Sequence, residues 1–220
     1  MAPAEREVSW AAVRTSRLAL ADALDGVALE RWDEFSWCEG WRVRDVVGHV
    51  IANAEGAFVL RRALPGLVRF RFQIDKFVDA DARRRGQAEP QRLLARLRQS
   101  AGGCFLPPGR KPEDVLSDVL VHTQDALRPL GVDRHAAADA LRLALDRTVP
   151  QKAPPAKNRA DGLRLRAADM DWAWGVGPEV TGPGEDILLA VTGRRGALAN
   201  LTGSGLTRLD SRCPQPASTR

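Results

Sequence analysis

The run from Val115 to Leu127 constrains this chain more than any other stretch, because it is an apolar helix pattern broken at Asp118, His122 and Asp125. Pro112 suits a first helical position, Glu113 and Asp114 sit where the helix dipole favours negative charge, and Pro129 with Gly131 stops the pattern. Asp118 and His122 therefore lie one turn apart on one face. Asp125, three residues beyond His122, continues the same line. Val115, Val119, Leu120 and Val121 surround the pair with apolar surface, where a charged and unpartnered Asp118 would be strongly unfavourable. A metal or a buried arginine would satisfy it.

The chain has three histidines, and His49 also falls on an amphipathic pattern. Val43, Val46, Val47, Val50, Ala54 and Phe58 predict a helix from Val43 to Arg62, with His49 beside the stripe. Taken alone, His49 reads as a half-buried histidine bonded to a neighbour. Taken with His122, it suggests two helices facing each other across a metal held by His49, Asp118 and His122. Two imidazoles and one carboxylate leave a coordination position open, as in catalytic zinc sites. Zinc suits these donors, although nickel, cobalt and iron(II) accept them too. Asp125 is a substitute for Asp118 as acidic ligand, or accepts the far ring N–H of a ligating histidine. Cys38 with His49 and His122 is a lesser set, closer to structural zinc. His135 reads as a surface residue.

Elsewhere, Trp10, Val13, Arg17, Leu20 and Leu24 predict a helix over about residues 5–24, ended by Asp25-Gly26. The tryptophan-rich stretch 30–41 reads as an ordered loop packed on the helices. Residues 64–90 contain Pro65-Gly66 and a short helix over 74–84, and form a candidate lid. Further helices are expected over 90–100 and 134–147. The segment from Val149 to Asn158 is rich in Pro and Lys, which places a domain boundary there. The expected organisation is a helical bundle over 1–149, a linker over 150–160, a small α+β domain over 161–210 and a disordered tail over 211–220. Within the small domain, alternation predicts strands over 163–167 and 172–174 and near 206–209, with helices from Pro183 to Gly193 and over 197–201.

A net charge of +5 raises the question of nucleic-acid binding. The cations are interspersed with acids, and the clusters Arg83-Arg84-Arg85 and Arg69-Phe70-Arg71-Phe72 come with no binding motif, so nucleic acid is not an expected partner. No apolar run is long enough to span a membrane, and no signal-peptide pattern opens the chain. Cys38, Cys104 and Cys213 form no CxxC or even framework. A cytoplasmic location is expected.

The segment from Trp37 to His49, then Val121-His122-Thr123-Gln124-Asp125 and Arg128-Pro129-Leu130-Gly131, resembles the mycothiol-dependent maleylpyruvate isomerase family, one of the DinB-like metal-binding bundles. The runs from Asp171 to Pro183 and from Leu189 to Arg194 resemble that family's small C-terminal domain. The resemblance implies a mostly α fold, an up-down four-helix bundle followed by a small α+β domain. It also implies metal ligation by His49, Asp118 and His122, with mycothiol or another small thiol as co-substrate. Asp118 departs from the family's glutamate, and Arg42 stands where the family has a helix-capping hydroxyl. Arg194 resembles an arginine the isomerase uses, implying a catalytic role in binding an anionic substrate across a domain interface; capping the preceding helix is the alternative. The function implied is a metal-dependent transferase or isomerase in which a thiolate attacks a small electrophile, as monomer or homodimer. The rival is a non-catalytic metal-binding or regulatory module.

Overall fold

A computed structural model describes residues 3–56, 68, 73–156 and 158–214. Contacts divide the chain into two units, Met1–Arg134 and His135–Arg220. The first is helical: α1 (Pro3–Asp25), a short 3-10 helix (Leu29–Asp33), α2 (Val43–Ala54), α3 (Ile74–Arg85), α4 (Pro90–Ser100) and α5 (Pro112–Leu127). Proline opens both α4 and α5, where its missing N–H has no intrahelical partner to lose. The Asp114 carboxylate accepts the Lys111 N–H at 2.7 Å and closes the first turn of α5. In α2 the buried Asp45 does the same for the Arg42 N–H at 3.0 Å and also pairs with the Arg42 guanidinium, so an arginine stands at the cap while an aspartate three residues on supplies the acceptor.

α1 packs on α4 and α5, and α2 packs on α3, α4 and α5, giving a four-helix arrangement of α1, α2, α4 and α5 with α3 laid against α2. Val13, Leu20, Leu24, Val46, Val50, Leu97, Leu116 and Val119 fill the core. Gly48 permits the close approach of α2 and α3, since a Cβ there would meet the Ala82 carbonyl oxygen at 2.8 Å. The 5–24 helix and the 90–100 helix stand where periodicity predicts them. The α2 prediction extends to Arg62, but its part beyond Gly56 lies outside the described residues, as do most of residues 64–72 of the candidate lid. The rest of that lid contains α3, packed on α2. The tryptophan-rich stretch is ordered: Trp32 and Trp41 are buried, and Trp41 donates its indole N–H to Asp79 at 2.8 Å.

The second unit comprises α6 (Ala138–Thr148), β1 (Arg164–Ala167), β2 (Ala173–Trp174), β3 (Glu179–Gly182), α7 (Gly184–Val191), a 3-10 helix (Arg195–Asn200) and α8 (Leu206–Asp210). The sheet order is β2-β1-β3, with β1 antiparallel to β2 (Leu165 opposite Trp174) and parallel to β3 (Leu165 opposite Val180). α6 groups with this unit, so the sequence boundary near 149 falls inside it. Within residues 150–160, Ala156 and Ala160 are buried. The predicted strand over 206–209 is a helix. Its two leucines, Leu206 and Leu209, are three residues apart, which fits one helix face and not one strand face. β3 was not anticipated, since Gly177, Pro178, Gly182 and Pro183 frame it with turn signals. The proposed tail begins with anchored residues: Cys213 is buried, and Arg212 donates to the Arg159 carbonyl at 2.7 Å. Residues 215–220 lie outside the description.

No helix among the described residues is long and apolar enough to cross a membrane.

Candidate metal centre

α2 and α5 bring His49, Asp118 and His122 together. The Nε2 atom of His49 lies 3.6 Å from Asp118 Oδ2, and that of His122 lies 3.5 Å from Asp118 Oδ1. The two rings meet edge to face with centroids 4.7 Å apart. One donor atom from each of the three residues falls within 4.8 Å of the others. Adjacent ligands of a tetrahedral ion with bonds near 2.0–2.1 Å stand about 3.3 Å apart, a spacing close to the 3.5 and 3.6 Å separations here. The two histidines are buried, while a third of the Asp118 side chain stays exposed. The cluster therefore has an open side at its carboxylate.

His122 is held from behind. Its Nδ1 lies 3.0 Å from Asp125 Oδ2, and Asp125 is fully buried. A proton on Nδ1 donated to that carboxylate leaves Nε2 as the free lone pair, the tautomer a ligating histidine needs. Asp125 thus faces the far nitrogen of His122 rather than the space between the histidines. Cys38 joins His122 and Asp125 in a separate grouping, not His49 and His122. The Cys38 loop is itself fixed to α5, since the Trp37 N–H donates to the Asp125 carbonyl at 2.9 Å and Arg128 stacks 5.3 Å over the Trp37 ring.

Two further side chains complete the centre. Asn53, one turn after His49 on α2, donates to Asp118 Oδ2 at 2.8 Å and lies 3.1 Å from His49 Nε2. Its spacing of i+4 from His49 was the signal that sequence reading passed over. Trp41 covers the rings, 5.2 Å from the His49 centroid and 6.0 Å from that of His122.

The electrostatics are those of a buried ion pair. Burial pushes His122 toward neutrality, but the Asp118 and Asp125 carboxylates outweigh it and hold the imidazole up at about 9. Burial likewise opposes ionisation of Asp118, yet the neighbouring imidazoles bring its carboxyl well below the usual range. A cation entering this space takes over the role of that proton. The donor set, two imidazoles with a carboxylate and a buried partner behind one ring, fits a divalent ion of the zinc type.

His135 is exposed, as expected, although it does meet an acid, with Nδ1 3.1 Å from Glu185. Arg194 belongs to the second unit, where its Nη1 donates to the Thr192 carbonyl at 3.1 Å, the helix-end contact foreseen as its alternative.

Residues 13–103 match the sequence profile described as "Mycothiol maleylpyruvate isomerase N-terminal domain". This segment is similar to that domain. It includes His49, Asn53 and Trp41 but ends before α5, so the Asp118–His122 half of the centre is carried by the chain beyond it. A solved structure described as the mycothiol-dependent maleylpyruvate isomerase is similar in fold, with a TM-score of 0.62 and 18% identity over 96% of this chain and 95% of that one. A histidine-to-alanine mutant of that isomerase matches with the same scores. No curated protein sequence matches. The chain thus shares the fold of the solved isomerase over nearly its whole length.

Proposed function

We propose that this protein is a thiol-dependent isomerase or transferase, in which a small thiol adds to an electrophilic carbon of a small substrate and the adduct either collapses to an isomer or persists as a conjugate. The observation that carries the reading is the convergence of His49 Nε2 and His122 Nε2 on the two oxygens of one carboxylate, with Asp125 behind His122. His49, Asp118 and His122 would hold a divalent metal, and a metal in that position stabilises a thiolate near neutral pH. The family domain and the fold of the named isomerase support mycothiol or a similar thiol as co-substrate and a maleylpyruvate-like electrophile.

The chain's own groups then have definable tasks. Asp125 fixes the ring of His122 and keeps its proton on Nδ1. Asn53 orients Asp118 by donating to one oxygen, leaving the other toward His122. Trp41 covers the ring faces and keeps water from them. Arg194 is assigned to an anionic group of the substrate on the strength of the family resemblance alone, and Arg194→Met should then raise KM with little change in kcat.

Metal analysis tests the centre directly. Purified protein should contain about one divalent ion per chain, and His49→Ala and His122→Ala should each lose it, by more than the 10–100-fold in affinity that a residue behind a ligand is worth. Thiol consumption with maleylpyruvate and other electrophiles should require that ion. A metal-loaded protein inert toward every thiol and electrophile tried would instead favour a binding module.

A further inference from the structure

Arg17 lies in the apolar stripe of α1 between Val13 and Leu20 and is fully buried. Its Nη1 donates to the carbonyls of Ala101 at 3.1 Å and Gly103 at 2.7 Å, pinning the guanidinium to the connection between α4 and α5. Its Nε and Nη2 have no hydrogen-bond partner among the described residues. Those two atoms form one edge of the guanidinium, with parallel N–H vectors matched to the two oxygens of a carboxylate. A lysine would serve for the carbonyl staple alone. A buried donor left without an acceptor destabilises the fold, and burial draws the Arg17 pKa down only to about 10, so the group remains a cation at neutral pH.

The position of this edge is set by contacts. Gly103, whose carbonyl Arg17 binds, packs so closely on the Ala54 carbonyl that any Cβ there would overlap it. Ala54 directly follows Asn53, which binds Asp118. The Arg17 guanidinium therefore sits at the end of α2 that carries the metal centre, and Asp118 acts on it electrostatically. Among the described residues the Asp118 oxygens are taken up by Asn53 and the two imidazoles, so this carboxylate does not fill the bare edge.

We propose that the bare Nε–Nη2 edge of Arg17 binds a carboxylate of a small-molecule ligand held inside the helical unit next to His49, Asp118 and His122. The location rests on the reading of that cluster as the functional centre; the carboxylate binding itself does not depend on turnover. The carboxylate belongs either to the electrophile or to the thiol, and two probes separate these sources.

Isothermal titration of the metal-loaded protein with maleate, as a carboxylate without a thiol, and with N-acetylcysteine, as a carboxylate on a thiol, provides the test. Arg17→Lys keeps the charge and can keep the Gly103 bond but lacks the bidentate edge. At least one probe should bind the native protein and bind Arg17→Lys about tenfold more weakly or worse. Maleamide, which lacks a carboxylate, should not distinguish the two proteins. Equal affinities of the native protein and Arg17→Lys for both probes, or no binding of either probe to the native protein, overturns the assignment; inorganic phosphate binding as tightly as the better probe overturns the preference for a carboxylate. If Arg17→Lys does not fold, the Arg17 Nε–H resonance of the native protein should shift on saturation with the bound probe, and an unmoved resonance overturns the proposal. Loss of thiol-dependent turnover with carboxylate binding intact would defeat the functional reading above and leave this one standing.

Discussion

Two buried arginines, one in each unit, show what separates a structural cation from a functional one. Arg159 in the second unit donates through Nη1 to the carbonyls of Pro155, Ala156 and Val191 and through Nε to that of Arg212, tying together the turn after α6, the end of α7 and the C-terminal segment. Arg17 in the first unit spends one nitrogen on two carbonyls and leaves an edge bare. The same contrast runs through the buried acids. Glu185 and Asp186 of α7 are met by His135, the Ala136 N–H and Asn200, neutral or exposed donors that fix local geometry. Asp118 and Asp125 face imidazoles, and the Asp118 carboxylate keeps an open side. Burial of a polar group is thus uninformative by itself; what matters is whether its hydrogen-bonding capacity is exhausted by backbone.

Replacing Arg159 gives the largest effect expected from this contrast outside the ligands themselves. Arg159→Met leaves four carbonyls without their donor in a buried setting, and should lower stability by about 2–4 kcal/mol in chemical denaturation. Arg17→Lys should lower it by less than about 1 kcal/mol, because one ammonium can replace the carbonyl staple. Equal losses in the two variants would erase the distinction between them.

Asp125→Asn probes the functional side at a residue that does not face the shared space. It removes the charge behind His122 while preserving volume, so metal affinity should fall about 10–100-fold with stoichiometry intact. Complete loss of metal would instead make Asp125 a ligand in place of Asp118. The pH dependence follows from the same ring. With His122 held at about 9 in the metal-free protein, each ion bound below that pH displaces a proton, so affinity should rise about tenfold per pH unit and level off above it. Stability of the metal-free protein runs the other way: the raised pKa contributes fully below the ordinary histidine value of about 6.5 and is lost as the pH climbs through about 9.

How much of this was legible in the sequence varied with the range of the forces involved. Pro112, Pro129, Gly131 and the spacing of Asp118 and His122 defined α5 and its polar line because helix punctuation and periodicity are local. His49 could be paired with them because histidines are scarce here. Asn53 was passed over although it follows His49 by one turn, since an asparagine on a helix has many uses and only the approach of α5 selects one. Arg17 was read only as one member of the α1 stripe; that its far edge is bare depends on where α4 ends, a fact of tertiary packing. In the second unit the hairpin of β1 and β2 was visible as alternation, whereas β3, which follows β2 in sequence but pairs in parallel with β1, was masked by the turn residues that frame it.

The smallest effect belongs to His135, and it sets the floor of the comparison. Its side chain is 74% exposed, and its contact with the buried Glu185 is made in solvent. The Ala136 N–H donates to the other Glu185 oxygen at 3.2 Å, so the carboxylate keeps a backbone partner when the imidazole is removed. His135→Ala should therefore change stability by less than about 1 kcal/mol and leave metal content unaltered. A loss in His135→Ala as large as in Arg159→Met would mean that exposed ionic contacts anchor the second unit, and that backbone satisfaction is not what marks a structural charge in this protein.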